Sequence, residues 1–323
     1  MATDHRLTVQ IVSHGPGCLD GVVAAAAVAR FHGGHRVVAN FAANGDSDRL
    51  IQKLKLKAGA GQDEIWITDL SWNSVETGTH LTELARAGVR VFWIDHHRTA
   101  VSRSSAPEFK VPFAGTMLSE QYSAARLAWS FLERRAGELS EEAAESFRSF
   151  YPIVALADDH DRWVHLLPDS ADWALAVQTL GSADSYREIL AMKEPVLSRK
   201  LKRALLAGRE AMEKSRKLAR TTMIDRVLPN GLKLRTACCF GYSSEVAADL
   251  YDGQLQTVIA LFDLRSQGVS LRRSADCEVD LSTVARSLGG GGHAAASGFM
   301  LEELRRTPAE RLAEILSERL AGT

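Results

Sequence analysis

Between Leu7 and Ile94 the chain alternates short apolar runs with helix-forming stretches, and that alternation leaves few folds open. Leu7 to Val12, Val37 to Ala43, Ile65 to Thr68 and Val89 to Ile94 are rich in β-branched or aromatic residues and read as strands. Asp20 to Phe31, Asp46 to Lys57 and Val75 to Ala87 read as the helices between them. Strand, helix, strand, helix argues for an α/β fold with a parallel sheet and crossover helices.

Three of these strands end in charge. His14-Gly15-Pro16-Gly17-Cys18-Leu19-Asp20-Gly21 follows the first, Asp69 the third, and Asp95-His96-His97 the fourth. In a parallel sheet the C-terminal strand ends share one edge, where ligands collect. A fourth cluster, Asp158-Asp159-His160-Asp161, stands at the end of a helix-like segment. So many carboxylates in one place would repel one another unless cations neutralise them. Two divalent ions bridged by one carboxylate, about 3.5–4 Å apart, would do so and would suit a phosphate displacement. Mixed Asp/His ligation suits Mn²⁺ better than Mg²⁺. Gly21 and the small residues Ala24 to Ala27 read as packing, letting a helix lie close to the sheet.

From Ser119 the texture changes. Ser119 to Arg135 and Glu141 to Leu156 look helical, and Arg187 to Arg220 reads as one long linker helix with 11 basic and 4 acidic residues. After about residue 221 a second α/β unit begins, with strands at Leu232 to Phe240, Gln256 to Leu264 and Val269 to Arg272. Ser243 to Tyr251 reads as a helix, Asp280 as the cap of another running to Leu288, and Thr307, Pro308 and Glu310 as the start of a last one. These boundaries give a metal-binding domain over 1–185, a helical linker over 186–220 and a smaller α/β domain over 221–323.

The 323 residues have a formal net charge of −1, so no global basic field awaits long duplex nucleic acid. Cys18, Cys238, Cys239 and Cys277 show no disulfide or zinc-knuckle spacing, and Cys238 and Cys239 read as strand packing. With a polar start and no apolar stretch long enough to span a bilayer, the expected setting is cytoplasmic, without a membrane partner.

Asp69, Asp95-His96-His97, the Asp159 cluster and Gly289-Gly290-Gly291-Gly292-His293, the last preceded by Ser270-Leu271-Arg272, together resemble the DHH phosphoesterases that carry a C-terminal DHHA1 domain. The resemblance covers nearly the whole chain. It implies that Asp69 bridges two metals, that His96 ligates one, that His97 contacts the substrate phosphate or the attacking water, and that Asp95 orients the histidines. Asp159-His160-Asp161-Arg162-Trp163 resembles an Asp-Arg-Asp-x-Trp form of the fourth motif, making Asp159 the ligand. Asp158 is the one-residue-shift alternative, and Asp161 is expected to pair with a neighbouring Arg. Arg272, Gly290, Gly291, Gly292 and His293 are implied to bind substrate away from the scissile phosphate, and Arg98 is a further candidate phosphate contact.

The first motif departs from the family's His-x-Asp-x-Asp. Aligned on Asp20-Gly21, it has Cys18 at the first Asp and Pro16 at the His, so His14 must return to the site through the Gly-Pro-Gly bend. As a ligand, Cys18 would favour Zn²⁺ or Fe²⁺ over Mn²⁺ or Mg²⁺; as a small buried thiol it would bind none. The resemblance implies metal-assisted hydrolysis of short oligoribonucleotides or linear dinucleotides to mononucleotides, with a homodimer plausible. Rival readings are a cyclic dinucleotide or 3′-phosphoadenosine 5′-phosphate phosphohydrolase, an inorganic pyrophosphatase or polyphosphatase, and a non-enzymatic nucleotide binder or metal sensor.

Overall fold

A computed structural model describes residues 7–43, 45–55, 63–106, 110–253, 256–301 and 303–304. The chain divides into two compact units, 1–208 and 209–323. The division falls inside one continuous helix.

The first unit is built on a fully parallel five-stranded sheet. Its strands are β1 (Thr8–His14), β2 (Arg36–Ala42), β3 (Glu64–Thr68), β4 (Arg90–Asp95) and β5 (Gly115–Leu118), in the order β2-β1-β3-β4-β5. The chain leaves β1 for one side of the sheet and later returns on the other, so the strand order reverses between β1 and β3. Such reversals open a crevice at the carboxyl strand ends. His14 ends β1, and Asp69 directly follows β3.

Helix α1 (Leu19–Phe31) connects β1 to β2 and is buried along almost its whole length. Its run Ala24 to Ala27 is fully inaccessible, and small side chains let α1 pack against α5 (Ala124–Glu133), α7 (Tyr151–Asp161) and α9 (Ser182–Leu190) at once. Gly21 is required there: a Cβ at this position would lie 2.4 Å from the His14 carbonyl oxygen and 3.1 Å from Asp69 Oδ2. Helices α2 (Ser47–Ile51), α3 (Val75–Arg86) and α4 (Arg98–Arg103) complete the crossovers. On one face of the sheet Trp66 stacks on Phe92 at 4.2 Å, over the buried Glu64, which accepts from Trp66 Nε1 at 2.7 Å and pairs with His32, Arg90 and Arg135.

Several expected boundaries move, each for a local reason. Glu141 to Leu156 is two helices, α6 (Glu141–Arg148) and α7, because Pro152 lacks an N–H and seats itself in a first turn. Arg187 to Arg220 is not one helix. The end of α9 lies at Leu190, Pro195 occupies the gap, and α10 (Arg199–Thr222) restarts after Ser198, whose hydroxyl accepts from Leu201 N. The helix expected from Ser119 starts only at Ala124, capped by Ser123. Before it comes β5, hidden in the sequence by its four-residue length and by Gly115, where a Cβ would strike the Phe131 ring at 2.5 Å. Helix α8 (Ser170–Leu180) is a further element that the sequence reading lacks.

The second unit carries a six-stranded mixed sheet. In chain order its strands are β6 (Ile224–Val227), β7 (Lys233–Cys239), β8 (Thr257–Asp263), β9 (Gly268–Arg273), β10 (Gly291–Gly292) and β11 (Ala296–Met300). They lie as β10-β11-β9-β8-β7-β6, with only β7 and β8 parallel. Helices α11 (Ser243–Asp249) and α12 (Leu281–Ser287) pack on it, and Asp280 caps α12 through Ser282 N. Cys238 and Cys239 lie within β7. The helix expected from Thr307, Pro308 and Glu310 falls outside the described residues.

Candidate metal centre

The crevice beside β1, β3 and β4 gathers His14, Cys18, Asp20, Asp69, His96 and His97, with Asp161 from the end of α7. Their donor atoms fall into three groups, each within 4.8 Å: His14–Cys18–Asp69, Asp69–His96–His97 and Asp20–His96–Asp161. Asp69 belongs to two of them, and its two oxygens face different ways. Oδ2 lies 3.5 Å from His14 Nδ1 and 3.4 Å from Cys18 Sγ. Oδ1 lies 3.3 Å from His96 Nε2 and 4.0 Å from His97 Nδ1.

The backbone explains these positions. Asp69 has φ 57°, a left-handed conformation uncommon for a residue with a Cβ, and its N–H is held by the Ile94 carbonyl at 3.0 Å. Asp95 is fully buried at the end of β4, where one oxygen accepts from the His96 and His97 amides and lies 2.8 Å from His97 Nδ1. It thereby fixes the His97 ring and the turn carrying both histidines. Asp20 accepts from the Ala124 and Ala125 amides at the start of α5, both at 2.8 Å, and lies 3.8 Å from His96 Nε2. The Cys18 sulfur caps α1 by accepting from Gly21 N at 3.4 Å. His14 arrives as the last residue of its strand.

The fourth cluster is arranged differently from its expected reading. Asp159 is not among the grouped donors. Its oxygens accept from Leu166 N at 2.8 Å, Leu167 N at 3.2 Å and Ser170 Oγ at 2.6 Å, tying down the loop after α7. Asp158 accepts from Ser123 N and pairs with Arg162. Asp161, expected to pair with an arginine, instead places Oδ2 3.7 Å from His96 Nε2. Helical geometry decides this: residues two apart lie on different sides of a helix, so Asp159 and Asp161 cannot share a target.

Burial would raise a carboxyl pKa, yet hydrogen bonds from His14 and His96 hold Asp69 far below the usual carboxylate range. Burial and the charges of Asp69 and Asp161 push Asp20 well up. Burial and the same carboxylates push the Cys18 thiol up. Burial opposes the charged form of His96, but the Asp69 bond and the charges of Asp161, Asp69 and Asp20 raise it to about 11. His97, likewise opposed by burial, is raised to about 9 by Asp95 and Asp69. The metal-free cluster therefore holds protons where cations would sit.

This has a consequence for stability. An unfolded imidazole releases its proton near 6.5, whereas His97 and His96 keep theirs in the fold to about 9 and about 11. The contribution is complete below 6.5 and is lost as pH rises through the folded values. The raised carboxyls of Asp20 and Asp161 act in the same sense from 3.8 upward. The melting temperature of metal-free protein is expected to fall by roughly a few degrees per pH unit between about pH 7 and 9. Saturating Mn²⁺ is expected to flatten that slope. A metal-free protein whose thermal melting is independent of pH across this window contradicts the assignment.

A cavity of about 170 Å³ adjoins the centre, lined by His14, Asp69 and His97 together with Ser47, Asn73 and Thr99. That is room for about five waters, or for a phosphate group. Arg98, exposed, is the first residue of α4, next to His97.

In the second unit, Arg272 donates to Leu271 O and Ser244 Oγ, and burial lowers its pKa. It pairs in register with Ala296, three residues past His293. The glycines implied to bind substrate form a tight hairpin. Gly290 N donates to Ala285 O, and His293 N donates to Ala296 O. Cβ atoms at Gly290 and Gly292 would collide with β11 at 2.1 and 2.6 Å, so close strand packing requires both. The Cβ position of Gly291 is open.

No protein-family model matches the chain. It is 26% identical over 274 residues to the oligoribonuclease NrnB of Bacillus subtilis strain 168, a match covering 77% of this chain and 62% of the relative. The chain thus spans less than two thirds of that relative's length. A solved DHH domain from a member of a family of ribosomal proteins superposes with a TM-score of 0.58 at 17% identity, covering 96% of this chain and 86% of that one. The pGpG-specific phosphodiesterase PggH of Vibrio cholerae gives 0.50 at 14%, covering 97% and 99%. RecJ of Thermus thermophilus, solved with Mn²⁺, gives 0.51 at 14%, covering 97% of this chain and 52% of RecJ. The oligoribonuclease match, the fold shared with a solved DHH domain, and the Asp-His-His and Gly-Gly-Gly-His motifs in their family order support the resemblance to the DHH/DHHA1 phosphoesterases.

Proposed function

We propose that the protein hydrolyses the phosphodiester bonds of short oligoribonucleotides or linear dinucleotides, using two divalent cations. The observation that carries this reading is Asp69, whose two oxygens face separate donor groups as a bridging carboxylate must. The donors fit the cations: buried carboxylates and imidazoles converge where Asp20 is 1% and Asp69 2% exposed, an arrangement that is self-repelling without added positive charge.

His14, Cys18 and Asp69 would hold one cation; Asp20, His96 and Asp161, with Asp69 beside His96, would hold the other. The nitrogen, sulfur and oxygen donors of the first set favour a softer ion such as Zn²⁺ or Fe²⁺, and the oxygen-rich second set suits Mn²⁺ or Mg²⁺. Bound there, the cations supply Lewis acidity and an activated water. His97, oriented by Asp95, lines the adjoining cavity and holds or moves a proton beside the phosphate. Within the second unit, Arg272 and His293 are the proposed substrate contacts.

The match to an oligoribonuclease and the likeness to a pGpG phosphodiesterase support a short, linear substrate. Metal-stripped protein is to be incubated with 5′-phosphorylated diribonucleotide, a much longer RNA and pyrophosphate, with and without Mn²⁺. Mononucleotides are expected from the dinucleotide only with metal, and faster than from the long RNA. Preferred cleavage of pyrophosphate, or none with Mn²⁺, Mg²⁺, Zn²⁺ or Fe²⁺, overturns the reading.

A further inference from the structure

The segment directly after Asp161 plays no part in holding cations, and its construction is unusual. Trp163 and His165 both have left-handed backbone, φ 56° and 53°, although each bears a bulky Cβ substituent. Among the described residues five non-glycines adopt positive φ; besides these two, Asp69 is a third and belongs to the centre itself. Strain of this kind persists only where surrounding bonds enforce it, and it gathers at functional sites.

Here the enforcement is visible. The buried Asp159 carboxylate takes the Leu166 and Leu167 amides and the Ser170 hydroxyl, and its carbonyl takes the Val164 amide at 2.9 Å. The His160 carbonyl takes Trp163 N, also at 2.9 Å. The result is an apolar turn held outward: Trp163 is 45% exposed, Val164 41% and Leu166 80%. The indole is braced edge-on against the His165 ring at 4.4 Å. Beside it Arg162 lies 5.6 Å from the exposed Tyr122 ring.

Two residues span at most about 7 Å of chain, so the Trp163 backbone lies within one nucleotide's reach of Asp161. An exposed aromatic surface, held by the turn two residues along the chain from Asp161, matches a ligand that is charged at one end and flat and apolar at the other. We propose that Trp163 is a stacking platform for a nucleobase of the substrate, a positioning residue that sets base dependence. The proposal rests on the phosphodiesterase reading for the identity of the substrate. A nucleobase is preferred over a protein partner because stacking needs one fixed ring face and tolerates any base, and the strained turn fixes one ring.

The test compares wild type, Trp163→Ala and Trp163→Phe on a 5′-phosphorylated diadenosine dinucleotide and on its abasic analogue. Dinucleotide binding is also measured by titration calorimetry. Trp163→Ala is expected to raise KM for the dinucleotide roughly 10- to 100-fold, the range that base–aromatic stacking gives on truncation. The dinucleotide-to-abasic KM ratio is expected to collapse toward one, and Trp163→Phe to restore most of it. An equal rise in KM for both substrates, or no rise, overturns the platform. A change from dimer to monomer in sedimentation with unchanged KM overturns it in favour of a second copy of the chain. Trp163-dependent dinucleotide binding without turnover keeps the platform and removes the phosphodiesterase reading; turnover indifferent to Trp163 does the reverse.

Discussion

Asp69→Asn is expected to lower metal-dependent turnover by at least ~10³-fold while leaving the protein folded. The substitution is chosen to isolate charge. Asn keeps the side chain's shape and, like Asp, tolerates the left-handed backbone that φ 57° demands. What is lost is the anion between two donor groups: a neutral amide cannot bridge two cations, and one end of it is a donor facing imidazole nitrogens. Folding has an offsetting gain, since the carboxylates of Asp20 and Asp161 no longer repel a third in the same buried space. The metal-free melting temperature is therefore expected to stay near that of wild type. The diagnostic difference appears on adding Mn²⁺. A ligand at about 100 times its Kd stabilises by ~2.7 kcal/mol, or roughly 5–10 °C for a unit of this size. Wild type is expected to show that rise and Asp69→Asn little of it. A variant that keeps both the rise and the turnover removes Asp69 from the bridging position.

The sheet and most of the centre were legible because both follow from local patterns. The strands of the first unit are short apolar runs, and their polar terminators, His14, Asp69 and His96, converge for the topological reason that parallel strands share an edge. Cys18 and His14, the departure from the family pattern, also reach the crevice, because Gly21 lets α1 seat directly against the end of β1. What escaped depends on tertiary contact. The four glycines of the second unit do not show in sequence that they pack against a strand, and only the collision distances with β11 reveal it. The brief strand β5 has no periodicity to detect. The choice within Asp158-Asp159-His160-Asp161 needed the rotation of α7 about its axis, which spacing alone does not give.

That last cluster yields a prediction with opposite outcomes at two neighbouring residues. Asp159→Ala removes the acceptor for two amides and a hydroxyl in a site 7% exposed. At about 1 kcal/mol for each donor left unmet, the cost is ~3 kcal/mol, or roughly 6–12 °C in melting temperature. The cations themselves lose no ligand, so the Mn²⁺-induced rise is expected to survive in whatever fraction is folded. Asp161→Asn does the reverse. Its carboxylate accepts no backbone amide among the described contacts and faces Asp20, Asp69 and His96, so the metal-free protein is expected to melt at or above the wild-type temperature. The Mn²⁺-induced rise is then expected to shrink and turnover to fall by at least ~10²-fold, since even residues that merely support a metal ligand reach that figure. Thermal melts of both variants with and without Mn²⁺ decide the matter. A destabilised Asp161→Asn beside an Asp159→Ala that is stable but blind to Mn²⁺ returns the ligand role to Asp159.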